Sequence, residues 1–380
     1  MTEKILTNAR IVLRDHMLDG SLVLRDGAIA DLSEGRSRLP SAIDCEGDLV
    51  LPGLIELHTD NLERHVMPRP STYWPCDAAV LGHDREIAAA GITTVFNALC
   101  VGEVHSRSAR VQLLNEMSDA VEEQMADGAL KADHYFHWRC EISFGGMLDL
   151  LEPLLDYPRL RLLSVMDHTP GQRQFTDISN YRTYYQGKFR MSDEEMQAFI
   201  DERVADQKLH SARNRAAVVA HGHQRGLMLA SHDDATTSHV REALDDGMVI
   251  AEFPTTVESA TASHEGGLNV LMGAPNVVRG KSHSGNVSAR QLGALGLLDI
   301  LSSDYVPGSL LYGALLLGTG DTGITLPQAV ATVTRNPARA VGLDDRGEIA
   351  PGKRADLVRC RPTQRAPIIR DVWRAGERVA

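Results

Sequence analysis

Leu49-Val50-Leu51-Pro52-Gly53-Leu54-Ile55-Glu56-Leu57-His58-Thr59-Asp60 is the stretch on which the fold of this chain turns. The apolar run Leu49–Leu57 ends in an imidazole and a carboxylate two residues apart. In a strand, residues i and i+2 face the same side. His58 and Asp60 are therefore expected side by side at a strand's C-terminal end, where they can share one metal ion. Pro52 and Gly53 turn the chain into this strand.

Outward from this stretch the chain alternates short apolar runs with amphipathic segments. Eight runs stand out: Leu49–Leu57, Ile92–Cys100, His134–Ile142, Leu160–Met166, Leu227–Ser231, Val249–Phe253, Leu268–Ala274 and Leu297–Ser302. Helical patterns such as Val111–Ala126, Ser238–Asp246 and Ala289–Leu295 lie between them. Eight such units predict an α/β fold built on a (β/α)8 TIM-like barrel, with an open doubly wound sheet as the competitor. Residues 5–33 and 347–380 have a different texture, with short alternating segments and turn signals such as Arg25-Asp26-Gly27. The expected division is a small β-sandwich domain from both termini, residues 1–50 and 345–380, around a metal-dependent barrel at residues 51–344. Residues 171–226 form a long helical insertion, read either as a lid or binding segment or as a solvated excursion.

Composition narrows the function classes. With 380 residues and 43% apolar content, the chain can bury a large core. A net charge of −12 argues against nucleic acid, and a strongly anionic ligand would need a local basic pocket. The five cysteines have no C-x-x-C spacing, which suits a reducing compartment. No stretch resembles a secretion signal, and none approaches the ~20 apolar residues of a membrane span. A cytoplasmic protein with no nucleic-acid or membrane partner is expected; homo-oligomerisation is left open, and the expectation of a small phosphorylated substrate comes from the basic loop at residues 279–286.

In a barrel, chemistry gathers at the C-terminal ends of the strands. The polar residues expected there include His58, Asp60, Glu141, His168, His232 and Asp304. One such histidine is ordinarily structural; three with carboxylates at one rim indicate a metal site. The mixed N/O set suits one or two divalent ions, zinc first, with manganese or iron as alternatives. Glu141 is a candidate bridge between two ions. Asp304 is the candidate general base toward a water whose pKa the metal lowers from 15.7 to about 7. Arg64, Arg139, Arg173 and the loop Arg279-Gly280-Lys281-Ser282-His283-Ser284-Gly285-Asn286 supply cations and donors for phosphate oxygens; Arg279, Lys281, His283 and Asn286 are its candidate ligands. A helix is expected to follow near Val287. Asp233 and Asp234 are read as orienters of His232, Glu252 as a ligand or a hydrogen-bonded strand end, and His83-Asp84 as a helix cap or a substrate contact.

Leu51-Pro52-Gly53-Leu54-Ile55-Glu56-Leu57-His58, the Asn336-Pro337-Ala338 segment and Gly352-Lys353-Arg354-Ala355-Asp356-Leu357-Val358 resemble the amidohydrolase superfamily over nearly the whole chain. His58-Thr59-Asp60-Asn61-Leu62-Glu63, Met166-Asp167-His168-Thr169-Pro170-Gly171, Ser231-His232-Asp233-Asp234 and Ser302-Ser303-Asp304-Tyr305 are similar to one branch of it. That branch hydrolyses the 5-triphosphate of a ribosyl alkylphosphonate in the carbon–phosphorus lyase pathway. The resemblance implies water attack and release of pyrophosphate. Two features depart from the wider family: His58-Thr59-Asp60 replaces His-x-His, and Glu141 stands where a bridging lysine is usual. An amidohydrolase or deaminase acting on a cyclic amide or base, which would have fewer arginines, is one competing reading. A catalytically silent assembly subunit, which should have lost ligands, is another.

Overall fold

The computed structural model describes residues 3–69, 72–103, 110–173, 178–189, 191–280, 286–320 and 322–380. The apolar run at the start of the barrel proves to be two strands. In the terminal sheet lie β1 (Glu3–Val12), β2 (Met17–Arg25), β3 (Ala28–Glu34), β4 (Ile43–Asp44) and β5 (Leu49–Pro52). The barrel then begins with β6 (Leu54–Thr59). Gly53 marks the break: a Cβ there would fall 2.3 Å from Thr93 Oγ1 and 2.9 Å from Asp356 Cβ, so only glycine passes between the two units.

The barrel continues through β7 (Ile92–Val101), β8 (Asp133–Glu141), β9 (Leu160–Met166), β10 (Met228–His232), β11 (Ile250–Glu252), β12 (Asn269–Gly273) and β13 (Ile300–Ser302). These strands pair in chain order and in parallel, and a helix follows each, from Cys76–Ala89 after β6 to Ser309–Thr319 after β13. A parallel bridge between Thr59 and Asp304 joins the last strand to the first. Thr59 Oγ1 donates to the Asp304 carbonyl at 2.7 Å, and Asp60 N reaches the same oxygen at 3.3 Å. Phe96, Leu162, Ala230, Ile250, Leu271 and Ile300 form an apolar core with Ala338 and Ala340 of the helix Arg335–Ala340. The Asn336-Pro337-Ala338 segment thus packs on the barrel.

After the barrel come β14 (Leu357–Arg361), β15 (Ile368–Arg374) and β16 (Glu377–Arg378). They join the N-terminal strands in one continuous sheet ordered β16-β15-β14-β5-β1-β2-β3, with β4 paired to β1. Asp26 and Gly27 both take positive φ, 50° and 84°, as the two-residue β2–β3 hairpin demands. The sheet curls over its own core of Leu6, Ile11, Leu22, Leu24, Val50, Leu357 and Trp373. Its β3 edge meets the segment leading into β14, with Ile29 N bonded to the Lys353 carbonyl at 2.8 Å. Asp133, at the foot of β8, receives the guanidinium groups of Arg346, Arg354 and Arg374 and so ties the barrel to this sheet.

The insertion holds the helix Ile178–Phe189 and a 33-residue helix, Asp193–Arg225. Ser192 and Glu195 form a capping box at the start of the long helix, and Gly226 ends it at φ 63°. Its first turns pack Met196, Phe199 and Ile200 against Tyr181 and Tyr185. Its last turns serve as the crossover to β10, with Val218 in the barrel's outer core. One helix therefore belongs to both the insertion and the barrel. No helix among the described residues is long and apolar enough to cross a membrane.

Candidate metal centre and active site

The rim is built by sharp turns at strand ends. Asp233, Phe253 and Asp304, just past β10, β11 and β13, have φ of 56°, 53° and 56°. Left-handed backbone at non-glycine residues is costly and is retained where the surroundings impose it. Thr236 and Thr256 then cap the next helices, accepting from His239 N and Ser259 N. These turns hold short loops against the barrel mouth.

His168 and His232 are each gripped from behind by a carboxylate. His168 Nδ1 donates to Glu141 at 2.6 Å, and His232 Nδ1 donates to Glu252 at 3.1 Å. Glu252 also accepts from His58 Nδ1 at 2.9 Å. Fixing Nδ1 leaves Nε2 as the nitrogen available to a metal on each ring. Asp233 Oδ2 lies 3.5 Å from His232 Nε2 and 3.9 Å from His168 Nε2. That oxygen is buried without a hydrogen-bond partner, as is Asp60 Oδ1. Two imidazole nitrogens facing a bare carboxylate oxygen fit a divalent cation. A second grouping, His58, His232 and Glu252, also brings its ligand atoms within 4.8 Å of one another. Hydrogen bonds already account for that geometry.

Several expected roles change place. Both oxygens of Glu141 are taken, by Ser143 Oγ at 2.8 Å and by the backbone and ring of His168, so Glu141 stands behind a histidine instead of bridging ions. Asp233, read as an orienter, faces the cage. His58 and Asp60 are not presented by one regular strand: the β6–β7 register shifts between Glu56 and Thr59, which breaks the alternation. His58 turns to Glu252, and Asp60 lies beyond the strand, close enough to Asp304 to raise its pKa. Arg173 is engaged by Asp234 and, at 3.0 Å, by Glu242, so its charge is offset within the protein. Arg64 bonds the Tyr305 carbonyl and Asn61 Oδ1 at the mouth. Arg279 is exposed at the end of the helix Ala274–Arg279, and Asn286 is half-buried. Lys281 and His283 lie outside the described residues. The next helix starts at Ala289 behind its cap Ser288, beside Val287 as expected.

Electrostatics concentrate on the same residues. Burial pushes Asp304 up to about 7, Asp60 adds to the rise, and Arg139 opposes it. Burial likewise lifts Asp233 to about 7 against the pull of His168 and Arg139. His58 and His232 fall well below the ordinary imidazole range, chiefly through burial, with Arg139 contributing. His168 is held above it: burial pulls it down, but the Glu141 charge and hydrogen bond prevail. Arg139 is thus a cation whose field reaches His58, His168, His232, Asp233 and Asp304 alike.

Residues not singled out in the sequence complete the site. His137 donates from Nδ1 to the Leu57 carbonyl at 3.0 Å and meets Ser164 Oγ at 2.8 Å. Phe253 presents its ring to both His58 and His232, at 4.9 and 5.4 Å between centroids. Glu56 accepts the backbone N–H groups of His58 and Ser303 beneath them. The spacing of His137, Arg139 and Glu141 on a regularly paired strand was the available signal for His137.

Comparison with known proteins supplies the family. The chain is 49% identical over 376 residues to the alpha-D-ribose 1-methylphosphonate 5-triphosphate diphosphatase of Escherichia coli (strain K12), covering 99% of this chain and 100% of that protein. Residues 275–380 match the model of an amidohydrolase family. The chain belongs to the amidohydrolase family. It is also 24% identical to an imidazolonepropionase of Deinococcus deserti, over 95% of this chain and 92% of the relative. Among solved structures, the N-isopropylammelide isopropylaminohydrolase of Burkholderia multivorans superposes with a TM-score of 0.66 at 18% identity, over 100% of this chain and 98% of that one. This last likeness concerns the amidohydrolase fold alone.

Proposed function

We propose that this chain hydrolyses the 5-triphosphate of alpha-D-ribose 1-methylphosphonate 5-triphosphate and releases pyrophosphate, as a step of phosphonate breakdown. The observation that carries this reading is the full-length similarity to the diphosphatase of that name. The barrel at residues 51–344 would carry the chemistry, with residues 1–50 and 345–380 as its brace. The reading places the protein in the cytoplasm; the cysteines at positions 45, 76, 100, 140 and 360 are all free and buried.

His168, His232 and Asp233 would hold a divalent cation, zinc first, with His58 and Asp60 as neighbouring ligands. When bound, the cation supplies Lewis acidity that makes water acidic near neutral pH. Asp304 is the acceptor of the proton lost by the attacking water, and a pKa near 7 suits a base working at neutral pH. The new P–O bond forms as the bridging bond to pyrophosphate breaks, and the electron pair leaves with pyrophosphate. Pyrophosphate departs readily once its charge is offset, so the protein's task is mainly positioning and cationic stabilisation. Arg139 within the rim and Arg64 and Arg279 at the mouth are the candidate cations. Phe253 walls the imidazoles from water.

The deciding experiment is metal analysis of the purified protein, then ³¹P NMR of the ribosyl phosphonate triphosphate in ¹⁸O-water. Pyrophosphate and a 5-phosphate product are expected, with the label in the 5-phosphate product; label in pyrophosphate would instead place the attack on the β-phosphorus, with the 5-phosphate as leaving group. Turnover of an imidazolone-type cyclic amide without pyrophosphate release would replace this reading.

A further inference from the structure

His83 and Asp84 neither cap a helix nor touch the rim. They belong to a buried chain of polar side chains running from the first barrel loop to the foot of β8. Asn61 Nδ2 meets His83 Nδ1 at 3.1 Å, His83 Nε2 meets Asn97 Oδ1 at 3.0 Å, Asn97 Nδ2 meets His134 Nδ1 at 3.2 Å, and His134 Nε2 meets Asp84 Oδ1 at 3.2 Å. All five residues are buried, and none of their side-chain nitrogens or oxygens is left without a partner.

The direction of every bond follows from groups that can only accept or only donate. Asp84 accepts the backbone N–H groups of Lys131 and Ala132, so it is a carboxylate and His134 must donate from Nε2. Burial presses the Asp84 carboxyl upward, but the bonds from His134 and these amides keep it below the ordinary range. Asn97 Nδ2 also donates to the Tyr135 carbonyl at 3.2 Å, which fixes its amide orientation independently. At the other end, Asn61 Nδ2 donates to Glu86 Oε2 at 2.9 Å, while Asn61 Oδ1 accepts from Arg64 Nη1 at 3.3 Å. Both imidazoles are therefore neutral Nε2–H tautomers, and the bonds run one way from Asn61 to Asp84. Burial holds His83 down at about 3, which keeps it neutral.

We propose that Asn61, His83, Asn97, His134 and Asp84 form a one-way hydrogen-bond chain whose fixed polarity positions two site residues, Asp60 and Arg64. Asn61 directly follows Asp60, and its carboxamide oxygen holds Arg64, which also bonds the Tyr305 carbonyl beside Asp304. Its amide nitrogen is committed to His83 and Glu86, so the carboxamide has one orientation. These are positioning residues, and their effect on the site rests on the reading of Asp60 as a metal neighbour.

Two measurements test the chain. Long-range ¹H–¹⁵N correlation on histidine-labelled protein should show His83 and His134 protonated at Nε2 alone between pH 6 and 8. A proton on Nδ1 of either ring would overturn the proposal. Chelator competition for zinc should then separate two variants, with thermal unfolding checked in both. His83→Leu should lose 10–100-fold in zinc affinity, as removal of outer supports does. His83→Gln, which keeps one acceptor and one donor, should recover most of it. Parental affinity in His83→Leu, or equal loss in both variants, would overturn the positioning role. Failure of the unaltered protein to take up zinc would instead overturn the metal reading of the rim, leaving the tautomers to judge the chain itself.

Discussion

Asp304 meets two demands: its carbonyl oxygen helps close the barrel, and burial raises its side-chain pKa to about 7, as the proposed role of proton acceptor requires. Asp304→Asn keeps the shape and removes the base, so turnover should fall about 10²-fold or more in steady-state assays, with a folded protein by circular dichroism. Glu56 offers a cleaner titration because it faces no open cage. Burial raises it to about 7 from an ordinary value near 4.5. Its stabilising contribution is present in full below 4.5 and is lost as pH climbs through 7. Glu56→Gln stays neutral, so in metal-free urea unfolding it should gain on the parent between pH 4.5 and 7, by at most about 3 kcal/mol. A pH-independent difference would show that Glu56 is not protonated when buried. At this scale the sequence was legible where residue type alone spoke. His58, His168, His232 and Asp304 all meet at the rim, because a polar residue at the end of an apolar run has few other places to go. The exchange of places between Glu141 and Asp233 was not legible. It depends on which carboxylate oxygen the backbone N–H of His168 and the hydroxyl of Ser143 satisfy, and that is tertiary information.

Among the elements, the long helix Asp193–Arg225 connects most directly to the site. Asn214 Nδ2 donates to the carbonyls of Ile142 and Phe144, at 2.9 and 3.0 Å, and so holds the loop that follows Glu141. Gln207 reaches Asp167 Oδ2 at 3.3 Å beside His168. Asn214→Ala leaves two buried carbonyls short of a donor and should cost about 1–3 kcal/mol in chemical denaturation. Gly222 lies against β10: a Cβ would fall 2.5 Å from Leu229 Cδ2. Gly222→Val should therefore overpack the crossover and cost about 1–3 kcal/mol by the same measurement. The eight strands were legible because buried parallel strands read as continuous apolar runs. Their limits were not. The first run spans the terminal sheet and the barrel without any change of hydropathy, and only the close approach at Gly53 divides it. The alternation that seemed to pair His58 with Asp60 is cut by an irregularity no local pattern announces.

Across the whole molecule, the brace and the barrel meet through charge as well as apolar packing. Asp133 is shared by Arg346, Arg354 and Arg374, and Arg346 also bonds Asp345 at 2.8 Å. Removing the shared carboxylate strands several guanidinium groups in a largely buried place. Asp133→Ala should cost about 3 kcal/mol or more, read from the denaturation midpoint. The terminal sheet interleaves the two ends of the sequence, with β5 paired to β14 from Leu49↔Cys360 to Pro52↔Leu357. Barrel closure likewise waits for Asp304 to reach Thr59. During synthesis, then, the strand after Gly53 emerges early and has no closing neighbour until some 240 further residues have left the ribosome, from Thr59 to Asp304. The edge of β5 stays open longer still, until β14 arrives. Such late, distant pairings slow folding and leave strand edges exposed to association. A nascent chain halted before β14 should therefore be a ready client of chaperones, and catalytic competence should appear only in the last moments of translation.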